Sequence, residues 1–190
     1  PMSRPRGGAA LAALASLAAL LSLCTLVDTQ TWFSRAVWFI IVVAGTGSLL
    51  RRFTARGLLV LAGQLVAVGL VATWTYAGST TWWGLPTTAT VSRFAALFRQ
   101  FGETVYVSAA PLPANVGVEA TLALIGVGIA LLVDYLAVSR SAPAAAGLPL
   151  LTVFLTATAN SGATLPFGFF LVAGAAWLLL LASHAQFGMA

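Results

Sequence analysis

Apolar residues fill most of the chain in long stretches separated by short polar connections. The hydrocarbon core of a bilayer is roughly 30 Å thick, so a helix needs about 20 apolar residues to cross it. Because backbone groups inside the bilayer cannot reach water, each such stretch must form a helix. The stretches close to this length are Ala9–Val27, Trp32–Leu50, Gly57–Tyr76, Val116–Val138, Ala144–Thr158 and Leu165–Ser183. The pattern predicts an all-α polytopic membrane protein, with a bundle of six transmembrane helices over residues 9–183.

The longest connection, roughly Ala77–Asn115, carries a different pattern. In Ala89–Val107 the apolar residues recur every three or four positions on one side of a helix. Charges at the centre of a spanning helix cost about 2.5–3.5 kcal/mol each, and this segment contains Arg93, Arg99 and Glu103. We predict one amphipathic helix lying in the outer membrane interface, between the third and fourth transmembrane helices. The side chains expected to dock on the outer ends of the bundle or at the acyl boundary are Phe94, Phe98 and Phe101. A gating or partner-binding element is the alternative.

Composition and charge agree with a membrane protein and give it an orientation. The chain is 60% hydrophobic and only 7% charged, whereas soluble domains carry roughly 25% charged residues. The net charge of +5 comes from arginines at helix ends that form no stripe, so nucleic acid is excluded as a partner and membrane lipid is expected. If six helices alternate, one side holds Arg4, Arg6, Arg51, Arg52, Arg56 and Arg140, and the other holds Arg35, Arg93 and Arg99. The positive-inside rule then places both termini, residues 1–8 and 184–190, in the cytoplasm.

Polar residues inside apolar helices are the candidates for function, because they are costly in a membrane. Gln64 lies near the middle of the third predicted helix, where an interhelical hydrogen bond is the favoured interpretation. Glu119 lies in the first turn of the fourth helix, where the helix dipole favours a carboxylate. Asp134 lies in the last turns of that helix, and we expect it to form an ion pair with Arg140 near headgroup water.

Catalytic chemistry has no basis in this sequence. Cys24 and His184, the single cysteine and the single histidine, fall on opposite predicted faces of the membrane and cannot form a nucleophile and base pair. No cluster of metal-ligating residues is present, and no glycine-rich motif has the context of a phosphate-binding loop. We therefore predict no catalytic, cofactor-binding or metal-binding residues and no enzyme activity for this chain.

The segment from Ala110 onward carries a family resemblance. Ala110-Pro111-Leu112-Pro113 leads into the fourth helix, which ends in Val133-Asp134-Tyr135-Leu136. Arg140 and Pro143 follow, and then Gly147-Leu148-Pro149-Leu150 at the start of the fifth helix. These features resemble the N-terminal membrane domain of the bacterial TgpA transglutaminase-like proteins in their actinobacterial form. The resemblance is best over Ala110–Ser183.

The resemblance implies an architecture and a role. In the family, several N-terminal helices are followed by an extracytoplasmic transglutaminase-like domain with a cysteine-protease fold, and then by a further helix and a cytoplasmic tail. The catalytic Cys-His-Asp residues belong to that later domain, and no position here matches them. The chain would then be a non-catalytic membrane domain that anchors an enzyme of the cell envelope encoded beyond Ala190, with regulation of that enzyme as an additional role to be tested. The alternative is a self-contained subunit of a transporter or membrane complex.

Overall fold

The computed structural model describes residues 8–161 and 166–188, with side chains described up to residue 184, and in these residues the protein has helices and connecting loops but no strands. The helices are α1 (Gly8–Leu20), α2 (Thr31–Phe53), α3 (Gly57–Ala77), α4 (Thr88–Val107), α5 (Val116–Asp134), α6 (Gly147–Asn160) and α7 (Phe167–Gly188). A 3₁₀ segment, Leu21–Leu26, continues α1, and a π-helical segment, Tyr135–Ser139, continues α5. The all-α prediction is therefore confirmed for the described residues.

Some predicted boundaries lie outside the described residues. They are the first seven residues of the predicted cytoplasmic N-terminal segment, Leu165 at the predicted start of the last helix, and the final two residues of the predicted cytoplasmic C-terminal segment.

Five helices in the described residues are long and apolar enough to cross a membrane. They cover Gly8–Leu26, Thr31–Phe53, Gly57–Thr80, Val116–Ser139 and Phe167–His184. The predicted crossing at Ala144–Thr158 corresponds to α6, whose 14 residues extend about 21 Å, less than the apolar thickness of a bilayer. The count of six crossings is therefore not confirmed.

Two helices form the centre of the bundle. α5 packs against α1, α2, α4 and α6, while α1 also packs against α2, α6 and α7. Small residues allow this close packing, as expected where lipid provides no hydrophobic force between helices. Ala12, Ala15 and Ala19 of α1 are fully buried. At Gly126 of α5, a Cβ atom would come within 2.9 Å of Leu20 Cδ1, so a larger residue would push these two helices apart.

The two ends of the bundle are named here for the acidic residues of α5 that they contain. At the Glu119 end, Leu112 N–H donates to Leu26 C=O over 2.8 Å, which joins the segments after α1 and before α5. At the Asp134 end, Ala9 and Asp134 line one groove, so α1 starts there. Trp177 Nε1 donates to Pro143 C=O over 3.2 Å, which places the second half of α7 beside the start of α6. The first described residue of α1 and the last of α7 therefore lie at the same end.

The amphipathic helix predicted over Ala89–Val107 is α4, and it packs across the Glu119 end of the bundle. Leu97 is buried, and Phe94 and Phe101 pack against the core on the same side of the helix. Phe98, one helical turn after Phe94, lies at the edge of this side and is 48% exposed. The placement of α4 in a membrane interface stays a prediction.

Two contacts fix the end of α4 to the start of α5. Asn115 Nδ2 donates to Thr104 Oγ1 over 2.9 Å, while its Oδ1 accepts from Val118 N–H over 2.9 Å. At Gly117 a Cβ atom would lie 2.8 Å from the carbonyl oxygen of Leu97, so only glycine allows this approach of the two backbones.

We expect Gly117→Ala to loosen α4 from the bundle, because the added methyl group meets backbone that cannot rotate away. Overpacking of this kind costs about 1–3 kcal/mol. The measurement is amide hydrogen exchange across residues 88–107 together with thermal unfolding in detergent. Gly102→Ala is the matched control, since a Cβ there has no neighbour within 4 Å. Unchanged exchange in Gly117→Ala would contradict the tight contact.

Candidate functional site

A buried charged cluster lies at the Asp134 end, where α2, α3 and α5 meet. The carboxylate of Asp134 is 3% exposed and forms an ion pair with Arg51 in the last turn of α2. Gln64 of α3, 1% exposed, donates from Nε2 to Asp134 Oδ2 over 2.8 Å and to Val43 C=O over 2.9 Å. The cluster therefore links three helices through one carboxylate oxygen.

The predicted hydrogen bond between helices at Gln64 is observed, whereas the predicted Asp134–Arg140 ion pair is wrong. Arg140 follows the π-helical segment and is exposed, with its guanidinium 5.8 Å from the centre of the Tyr135 ring. Arg51 takes its place because α2 and α5 pack closely and bring their last turns together. The ion pair was expected to be weak because headgroup water would reach it. Asp134 is buried, so that reason no longer applies.

Gly47 makes room for this cluster. A Cβ atom there would lie 2.3 Å from Gln64 Nε2 and 3.0 Å from Arg51 Nη1. The two polar side chains therefore occupy the space that any larger residue on this face of α2 would fill. Close packing around small residues is how membrane helices approach one another when polar groups must pair between them.

The cluster is not fully hydrogen-bonded within the part of the chain that the structure describes. Arg51 Nη2 also donates to Ser139 Oγ over 3.3 Å. The buried atoms Asp134 Oδ1, Arg51 Nε and Arg51 Nη1 have no hydrogen-bond partner among the described residues. The Coulomb attraction of the pair must therefore offset most of the cost of burying both charges.

A second polar cluster joins α2 and α5 at the other end of the bundle. Arg35 Nη1 lies 2.9 Å from Glu119 Oε2, and Thr31 Oγ1 donates to Glu119 Oε1. The Arg35 guanidinium also lies 5.3 Å from the centre of the Tyr76 ring, a cation–π contact with α3. Glu119 lies in the first turn of α5, as predicted from its position. With its side chain 40% exposed, Arg35 reaches solvent or headgroups, so this pair is weaker than the buried one.

Sequence reasoning identified both acidic residues and missed both of their partners. The signal was the order of charges along the chain. Arginines lie near both ends of the second predicted helix, Arg35 at the outer end and Arg51 at the inner end. Acidic residues lie near both ends of the fourth predicted helix, Glu119 at the outer end and Asp134 at the inner end. If these helices are neighbours, each arginine meets the acid at its own end.

The site has the groups of a structural cluster, with no nucleophile beside a base. Cys24 lies near the Glu119 end and His184 near the Asp134 end, so they are far apart. Among the described residues, no three His, Cys, Asp or Glu side chains come together as metal ligands. What the arrangement can do is fix the relative positions of α2, α3 and α5.

We expect Arg51→Gln to destabilise the protein by about 3–5 kcal/mol, because it leaves the Asp134 carboxylate buried without a counter-charge. Arg52→Gln is the matched control one residue away. Arg52 is exposed, so its loss should change stability by no more than about 0.5 kcal/mol. The measurement is thermal unfolding in detergent.

The double variant Arg51→Gln/Asp134→Asn sharpens this test. Because it removes both charges, it should lose less stability than Arg51→Gln alone. Equal losses in Arg51→Gln and Arg52→Gln would show that the buried ion pair contributes nothing to stability.

Comparison with known proteins gives the family of the chain. The family model described as TgpA N-terminal domain matches residues 14–190, which is most of the chain. No curated protein and no solved structure matches. The matched region is not itself the transglutaminase-like catalytic domain of these proteins. The apolar helices and the match both indicate a membrane domain, and the chain belongs to the TgpA N-terminal domain family.

Proposed function

We propose that this domain anchors a transglutaminase-like domain of the same protein at the outer face of the bacterial plasma membrane, where that domain acts at the cell envelope. Family membership over residues 14–190 carries the proposal. Five helices of crossing length among the described residues, joined by interhelical ion pairs, support an anchoring role, because together they form a bundle suited to a membrane.

The orientation that we propose places the Asp134 end in the cytoplasm. Four arginines lie at this end in the described residues: Arg51, Arg52, Arg56 and Arg140. The Glu119 end carries Arg35 and the arginines of α4, together with exposed aromatic residues at Trp82, Trp83 and Tyr106. Arginines favour the cytoplasmic side, and amphipathic rings favour an interface. Since α1 starts and α7 ends at the Asp134 end, these two helix ends are then on the cytoplasmic side.

We propose that α4 lies along the outer membrane surface. Its protein-facing side packs on the bundle, while Phe98, Val105 and Val107 are exposed. The charged residues Arg93, Arg99 and Glu103 are exposed, which suits headgroup water better than the centre of a bilayer. Its position on the extracytoplasmic side also makes α4 the surface on which the enzyme domain would rest.

The orientation predicts which engineered cysteines react from outside the cell. In a Cys24→Ala background, Glu103→Cys should react with an impermeant maleimide in intact cells, because α4 is extracytoplasmic. Arg52→Cys should react only after the cells are lysed. Labelling of position 103 only from the cytoplasm would overturn this topology.

The anchoring role predicts the outcome of an exchange experiment on the intact protein. Residues 1–190 are replaced by an unrelated membrane domain of the same topology, and the location and activity of the transglutaminase-like domain are measured. If the domain described here only anchors, both should be retained. Correct location with lost activity would add a regulatory role. A native reading frame that ends without any such enzyme domain would contradict the proposal and favour a transporter or complex subunit.

A further inference from the structure

An open cavity of about 470 Å³ lies at the Asp134 end, between the start of α3 and the π-helical segment after α5. Its walls combine arginine, hydroxyl and apolar side chains, which are Arg56, Arg140, Tyr135, Ser139, Leu58 and Leu59. The volume is within the range of small-molecule sites, roughly 300–1,000 Å³.

The cavity carries positive charge that no nearby acid neutralises. The ion pairs of the described residues use Arg35 and Arg51, so the guanidinium groups of Arg56 and Arg140 remain unpaired at the rim. The nearest acid, Asp134, is committed to Arg51. The Arg140 guanidinium lies 5.8 Å from the centre of the Tyr135 ring, and this cation–π contact keeps it beside the cavity. Two exposed arginines around one opening favour an anion with several oxygen acceptors.

The wall between the two arginines supplies further donors. Ser139 Oγ accepts a hydrogen bond from Arg51 Nη2, which leaves the Ser139 hydroxyl hydrogen to be donated elsewhere. The N-terminus of α3 also lines the cavity at Gly57, and no side chain of the described residues caps it. A Cβ at Gly57 would lie 2.9 Å from Ser139 Cβ, so glycine brings this N-terminus directly against Ser139. The N–H groups and the dipole of a helix start add to the attraction for an anion.

Apolar residues next to the cavity indicate where such an anion comes from. Leu58 and Leu59 are 68% and 53% exposed at the beginning of a helix long enough to cross the bilayer. A soluble anion would make no favourable contact with these apolar side chains. A lipid whose headgroup enters the cavity would place its acyl chains against them.

We propose that this cavity binds the phosphate of an anionic phospholipid headgroup, held between Arg56 and Arg140, with the acyl chains along Leu58 and Leu59. Basic pockets between transmembrane helices are suited to such headgroups. The site needs only that the domain lies in a membrane. The proposal therefore stands or falls separately from the anchoring role and from the orientation, which the cysteine labelling decides.

The test titrates phosphatidylglycerol against the intact protein in neutral detergent, with native mass spectrometry to count bound lipid. Phosphatidylcholine, which has no net charge, should bind at least about tenfold more weakly, and Arg56→Gln or Arg140→Gln should each weaken phosphatidylglycerol binding by about tenfold, which is about 1.4 kcal/mol. Arg52→Gln is the matched control, because this exposed arginine is at the same end but outside the cavity. It should bind as the unmodified protein does.

Two outcomes overturn the proposal. An equal loss in Arg52→Gln would show that general surface charge, and not the cavity, attracts the lipid. Glycerol phosphate alone binding as tightly as phosphatidylglycerol would show a soluble phosphate site without any contribution from the acyl chains. Thermal unfolding of each variant without lipid checks that the exposed substitutions leave the fold intact.

Discussion

The register between α2 and α5 is fixed by two ion pairs, and the rest of the bundle depends on it. Both helices run from the Glu119 end to the Asp134 end, and each carries its two charges about four turns apart. Arg35 meets Glu119 at one end, and Arg51 meets Asp134 at the other. A slip of one turn would leave an acid without a partner at each end, and at the Asp134 end this acid would be buried. In a bilayer that cost is several kcal/mol, so the charges select one register that apolar packing alone would leave open.

The buried pair also positions the elements around it. Gln64 binds the same carboxylate oxygen as Arg51, so α3 is held where Gly47 leaves room for its side chain. Beyond Asp134 the helix widens into its π-helical segment, which brings Ser139 within 3.3 Å of Arg51. Ser139, which lines the cavity between this segment and the start of α3, is therefore in contact with the same ion pair.

The sequence was sufficient to predict the long helices and insufficient to predict most of the contacts between them. Apolar length alone located the long helices, because a bilayer allows few other structures. The partner of Asp134 was wrong because Arg140 is close in sequence, whereas the choice depends on which helices are neighbours. The sequence also did not determine which residues of α4 face the bundle. Its apolar surface is broad enough to include Phe94 and Phe98, and only packing on the bundle decides that Phe94 turns inward and Phe98 outward.

Contacts between helices are unevenly distributed over the bundle. α1 and α5 are largely covered by other helices, while Leu180 is the one buried residue among the described side chains of α7, which packs mainly on α1. Elements with few buried contacts open at a lower free energy than the core. The ion pairs and the contacts of Gln64 and Tyr76 join α2, α3 and α5, and α7 adds apolar surface for lipid. Polar contacts within the bundle and apolar surface for lipid are thus supplied by different helices.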